Sequence, residues 1–146
     1  MKFEIANNKI AGAINLLAQL SLKGKQSRHR SKLIKELNTR FEEVVEDEKA
    51  LLKQHCHLDA EGEPKKTNED RNWDVKDEEA FAADRKELLE EKLVLEGGNI
   101  TGYLKTMRDV LLNCEVEWSG TDAAIYDYLC DELEKENEME TEEKSA

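Results

Sequence analysis

The sequence predicts a mainly α protein of about five helices, one of them long, with a small two-stranded β-sheet. Three observations carry this. One proline and seven glycines in 146 residues leave too few turn formers for an all-β sandwich. The chain is rich in Glu, Lys and Leu, which lose little rotamer freedom in a helix. Apolar residues recur at three- and four-residue steps over most of its length, the spacing of one helix face.

Met1, Phe3 and Ile5 alternate with Lys2 and Glu4, and that period of two predicts a short strand. Asn7 and Asn8 are good N-caps. Ile10, Ile14 and Leu17, widened by Leu16 and Leu20, predict a helix over 8–22, with Gly24 as its terminator. Ser27 or Ser31 then caps a much longer helix. Ile34, Leu37, Phe41 and Val44 follow in +3, +4 and +3 steps, and Val45, Leu51 and Leu52 carry the stripe to about His55. Thirty helical residues span roughly 45 Å. That exceeds what a compact domain of this size wraps, so part of the helix is expected to project, or to pack on a partner or a second copy. Glu48 interrupts the stripe and argues against a long coiled coil.

Residues 57–75 contain Gly62, Pro64, Asn68, Asn72 and many charges, and read as a long connection with Trp73 pinned to the core. Asp74 or Asp77 caps a helix over about 77–92 whose buried side is Phe81, Leu88 and Leu89. Leu93 and Leu95 alternate before Gly97-Gly98, which predicts a strand over 93–96 with the N-terminal strand as its mate. Asn99 or Thr101 caps a fourth helix bearing Ile100, Tyr103, Leu104, Met107, Val110 and Leu111. Ser119 caps a fifth bearing Ile125, Leu129 and Leu133. Residues 134–146 have almost no apolar content and read as an acidic disordered tail, which leaves 1–133 as a single helical domain. Phe41, Phe81, Tyr103, Trp118, Tyr126 and Tyr128 sit among apolar neighbours and are the expected core anchors.

Hydrophobic and charged residues each make up 38% of the chain, so the core must be economical and the surface ionic. Cys56, Cys114 and Cys130 are odd in number and widely spaced, which implies reduced thiols and no disulfide framework. The N-terminus lacks the shape of a signal peptide. Residues 10–22 are too short, and too broken by Gly12, Asn15, Gln19 and Ser21, to cross a bilayer. The expectation is a soluble cytoplasmic protein with no membrane contact.

Charge is split inside the long predicted helix. Residues 1–41 hold nine Lys/Arg against two acids, a net of +7, whereas 42–146 hold thirteen against thirty-two, a net of −19. The basic cluster is Lys23, Lys25, Arg28, Arg30, Lys32, Lys35 and Arg40. Arg28, Lys32 and Lys35, at +4 and +3 spacing, share one helix face, and Arg30 lies off it. Such a face can neutralise phosphates with a steep salt dependence. It lacks interleaved aromatics and a recognition-helix pattern, so an acidic protein patch is the preferred partner and nucleic acid the lesser reading. Glu42, Glu43, Glu46, Glu87 and Glu91 form the expected acidic face. Dense carboxylates on helices can imitate a phosphate backbone, although on Glu/Lys-rich helices they serve solubility first.

His55-Cys56-His57 are all metal-ligand types. Adjacent helical residues point about 100° apart, however, so one helix cannot aim all three at one ion. Cys114 and Cys130 form no CxxC pair. A buried Cys56 at a helix end is the preferred reading, with no metal and no cofactor expected. Carboxylate pairs such as Glu42/Glu46 and Glu87/Glu91 occur in any acidic chain. The sequence has no HExxH, nucleophile elbow or phosphate-cradling glycine loop, so no catalytic residue is assigned and enzyme activity is not expected.

Two stretches carry a resemblance. One is Leu22-Lys23-Gly24-Lys25-Gln26-Ser27-Arg28-His29-Arg30 with the Glu-rich helix behind it. The other is Glu117-Trp118-Ser119-Gly120 running into Ala124-Ile125-Tyr126-Asp127 and Leu129-Cys130-Asp131-Glu132-Leu133. Together they resemble an uncharacterised family of phage and prophage proteins from Gram-positive bacteria. The resemblance covers most of the chain and implies a phage context without an assigned activity; His55-Cys56-His57 is not among its landmarks. It implies a small phage-encoded protein that modulates or inhibits a host factor or an anti-phage defence complex. On the residues, binding is expected at Lys25, Arg28, Arg30, Lys32 and Lys35. The alternatives are a virion tail, baseplate or assembly component, a nucleic-acid-binding protein or an acidic DNA mimic, and the long helix makes a homo-oligomer an option.

Overall fold

The computed structural model describes residues 1–67, 69 and 71–145, with side chains in the last helix as far as Lys135. Along the chain come β1 (Lys2–Ala6), α1 (Asn7–Ala18), α2 (Gly24–His55), β2 (Lys66–Thr67), β3 (Asn72–Trp73), α3 (Glu78–Glu90), β4 (Lys92–Glu96), α4 (Gly98–Leu112) and α5 (Gly120–Ser145). The five helices, the length of α2 and the pairing of the N-terminal strand with the strand after α3 are as the periodicities predict. The chain divides into two units. The first holds residues 1–41 and 92–146, the second residues 42–91, and α2 passes from one to the other.

In the first unit the alternation of β1 buries Phe3 and Ile5. The strand pairs antiparallel with β4 in the register Phe3↔Leu95 and Ile5↔Leu93. α1 adds Ile10, Ala13, Leu16 and Leu17 to the core, the first half of α2 adds Leu33 and Leu37, α4 adds Leu104, Met107 and Leu111, and α5 adds Ile125, Leu129 and Leu133. α1 and α5 approach closely at Gly12, where an added Cβ would sit 2.8 Å from Ile125 Cδ1. The Ala6 N–H donates to Tyr128 Oη at 3.1 Å and ties β1 to α5.

In the second unit the buried hydrophobics are Val44, Cys56 and Leu88. Asp77 caps α3, its Oδ1 accepting from the N–H groups of Glu79 and Ala80 at 3.1 and 3.2 Å. His55 Nε2 lies 2.6 Å from Asp84 Oδ2, and its ring meets Phe81 edge-on at 5.7 Å, joining the end of α2 to α3.

Several expectations need correction. Gly24 does not end α1, which stops at Ala18. With φ +59° it opens α2, three residues ahead of Ser27. Gly97 precedes α4 without a side-chain cap, so neither Asn99 nor Thr101 has that part. Phe41 is 39% exposed. The inward line of α2 runs Leu33, Leu37, Arg40, Val44, in +4, +3, +4 steps, and Phe41 falls about 60° off it. Arg40 holds the place instead, its Nε donating to Oδ1 of the buried Asn7 at 3.0 Å. Residues 57–75 are not featureless. β2 pairs with β3, and single bridges join Cys56 to Val75 and Leu58 to Pro64. Trp73 is not pinned inside but 39% exposed, with the Lys66 ammonium 4.6 Å from its ring centre. Residues 134–145 of the expected disordered tail continue α5 as helix, with side chains described as far as Lys135. Among the described residues no helix is long and apolar enough to cross a membrane.

Candidate functional site

The first half of α2 is anchored on one side by Leu33 and Leu37. His29 fixes it further, with Nδ1 2.7 Å from Thr106 Oγ1 and its ring edge-on to Tyr103 at 5.0 Å, both on α4. A side chain pointing away from these contacts therefore stands on a rigid rod. Arg28, Lys32 and Lys35 do so, while Lys25 lies about 40° from His29 at the helix start. Their +3, +4, +3 spacing keeps them within an arc of about 80°, and all four are exposed. Among the described residues none of them is in an ion pair, and the one acid of this half-helix, Glu36, does not neutralise them.

The first turn of α2 contains no acid. A helix N-terminus carries about half a positive charge from its aligned peptides, so carboxylates there stabilise and cations repel. Lys25 therefore sits at an unfavourable end and opposes the helix by about 0.3–1 kcal/mol at low salt.

Arg30 is held apart from the other four. It is half-buried, its Nη1 donates to Leu20 O and to Leu17 O, the latter at 3.4 Å, and its Nη2 lies 3.4 Å from Ser27 Oγ. A guanidinium on Leu17 O in the last turn of α1, and on Leu20 O just past it, meets the negative pole of the helix dipole. Arg30 is thus part of the fold's scaffold.

The five expected acidic residues do not form one face. Glu87 and Glu91 share a groove of the second unit with Asp47 and Asp84, floored by Leu51 and Leu88, and no basic residue lines it. Glu46 pairs with Lys49 at 3.3 Å and lines a different groove. Glu42 and Glu43 are exposed and line neither.

Trp73 is the feature that sequence reasoning placed wrongly. It stands between two grooves that share Leu52. Leu51, Phe81 and Arg85 line one, and Lys53, Glu63 and Pro64 line the other. The charges on both rims pair among themselves, Arg85 with Glu48 at 3.8 Å and Lys53 with Glu63 at 3.6 Å. The indole, with the Lys66 ammonium over its ring, stays 39% exposed between them. A lone tryptophan in a charged run, with no apolar neighbour at helical spacing, was the available signal.

His55, Cys56 and His57 diverge. His55 faces Asp84 and Phe81, Cys56 is fully buried, and His57 is exposed. Burial, then the nearby Asp74 and Glu78 charges, push the Cys56 thiol above its usual value. Cys130 lies beside Tyr126, whose hydroxyl donates to Leu111 O at 2.5 Å. Loss of hydration on burial, followed by the hydrogen bond with Cys130, raises the Tyr126 phenol to about 12. Among the described residues no three His, Cys, Asp or Glu side chains converge on a point where a metal ion could be held. No protein-family model, curated protein or solved structure matches the chain.

Proposed function

We propose that the protein is a non-catalytic module that binds another protein, and that its contact surface is the stripe Lys25, Arg28, Lys32 and Lys35. One observation carries this reading. Four cations stand exposed on α2 without carboxylate partners among the described residues, one of them, Lys25, in the first turn that disfavours it. Residues selected for stability alone would place acids there. The complementary partner presents a cluster of carboxylates. The resemblance to phage and prophage proteins supports a host factor or an anti-phage defence complex as the target, with the second unit's acidic surface in a secondary part. Arg30 is left out of the contact set because its guanidinium is engaged on α1.

The test is affinity purification from the protein's own host cells with quantitative mass spectrometry. The full chain is compared with the triple variant Arg28→Ala, Lys32→Ala, Lys35→Ala. The expected result is loss of the co-purifying protein from the variant, and release from the wild type as salt rises. Recovery of every partner at unchanged yield would place the surface elsewhere. Binding of duplex DNA with a steep salt slope, abolished by the same variant, would turn the reading to nucleic acid.

A further inference from the structure

β4 has one neighbouring strand and one open edge. The Ala6 N–H turns away from β4 to Tyr128 Oη, so Ala6↔Lys92 is a non-hydrogen-bonded pair of the ladder. Bonded and non-bonded pairs alternate in an antiparallel ladder. Phe3↔Leu95 and Ile5↔Leu93 are therefore the bonded pairs, and Lys92, Val94 and Glu96 turn their N–H and C=O groups to the outer edge. Among the described residues no backbone group pairs with them there. Their side chains are exposed, Val94 at 43%. An open row of this kind is a template for another strand.

The row is also self-complementary. β4 reads Lys-Leu-Val-Leu-Glu. Laid antiparallel on a copy of itself about an axis through Val94, it sets Lys92 opposite Glu96, Leu93 opposite Leu95, and Val94 opposite Val94. The residues that this register would hydrogen-bond are 92, 94 and 96, the same three whose backbone groups face outward. Parallel in-register pairing would set Lys on Lys and Glu on Glu, which like-charge repulsion disfavours. A lysine on an edge strand ordinarily guards it against pairing. Here Glu96 supplies the matching charge at the matching distance from Val94, so the guard becomes a register pin.

We propose that β4 pairs with β4 of a second copy across a two-fold axis, forming one four-stranded antiparallel sheet in the order β1-β4-β4-β1. The contact is separate from the basic stripe. A protein that stays monomeric yet still binds its partner through Arg28, Lys32 and Lys35 would remove this inference and leave the proposed function standing.

Sedimentation equilibrium on the full chain tests it. The wild type is expected to be a concentration-dependent dimer. Lys92→Glu and Glu96→Lys each place like charges opposite at both ends of the contact. Each should raise the dimer dissociation constant about tenfold or more. An equimolar mixture of the two variants should re-associate, because one strand is then acidic at both ends and the other basic at both ends. That recovery also shows that both variants are folded. Val94→Pro removes an outward-facing N–H without touching the β1 ladder and should give a monomer. A wild type that is monomeric up to about 1 mM, a dimer unmoved by either reversal, or a mixture that fails to re-associate would each overturn the proposal.

Discussion

At the scale of single residues, charge and aromaticity read from sequence separate poorly into scaffold and surface. Arg30 and Arg28 look alike in the chain, yet one is engaged on α1 carbonyls and the other is exposed. Arg30→Ala leaves Leu20 O without its guanidinium donor and should destabilise the fold by about 1–2 kcal/mol. Arg28→Ala should leave the denaturation midpoint within about 0.5 kcal/mol of wild type, and urea titrations of the two variants check the contrast. Arg40 and Phe41 exchanged their expected places for a related reason. A one-position ambiguity in the helix line cannot be settled by hydropathy when a buried Asn7 is there to receive a guanidinium. Tyr126 makes a further prediction. Its phenol is raised in the folded state from the ordinary 10 to about 12, so the folded protein holds that proton more tightly than the unfolded chain. The associated stability is fully present below pH 10 and is lost as pH rises from 10 towards 12. Ultraviolet titration should show a late tyrosine step near pH 12, which Tyr126→Phe should remove.

At the scale of elements, what was legible was what repeats. β1 and β4 announced themselves by alternation, and Asp77 by its place ahead of an apolar-periodic run. The β2–β3 pairing was hidden because its four residues, Lys66, Thr67, Asn72 and Trp73, show no apolar alternation, and bridges at Cys56 and Leu58 extend it only through the backbone. Gly12 was read as a break in an apolar run. It is instead the point where α1 accepts the side chain of Ile125. Alanine there gains about 1 kcal/mol of helix propensity. Against this, its Cβ would lie 2.8 and 2.9 Å from Ile125 Cδ1 and Cγ1, and Ile125 is itself buried. Overpacking of that kind costs about 1–3 kcal/mol. Gly12→Ala should therefore lower stability by about 1 kcal/mol, while the pair Gly12→Ala with Ile125→Val should recover part of it, as thermal melts of both variants would show.

At the scale of the whole molecule, the two units differ in how much apolar surface they bury. Among the described residues sixteen buried hydrophobics form the core of the first, against Val44, Cys56 and Leu88 in the second. Local opening follows apolar burial, so amides of residues 42–91 should exchange with deuterium faster than those of α1 and α4. Native-state alkylation of Cys56, fully buried and with its thiol raised by burial, should proceed only at the rate at which that unit opens. The shared face of Arg28, Lys32 and Lys35 was legible in the sequence from helical spacing, whereas the engagement of Arg30 was not. The division of α2 between two units was not, since nothing in its stripe marks Phe41 as a boundary.

Along α2 that boundary coincides with the change of sign, although the first unit also holds residues 92–146, with fourteen acids against five bases. The four exposed cations belong to the first unit, and the second carries eighteen acids against eight bases. A molecule with net charge −12 at pH 7 should pass unretarded through a sulfonated resin if its charge were spread evenly. This one should be retained at low ionic strength by the face of α2 alone, while also adhering to a quaternary-amine column. Purification over either matrix would then sort the protein by orientation, and the stripe variant would elute early from only one of them.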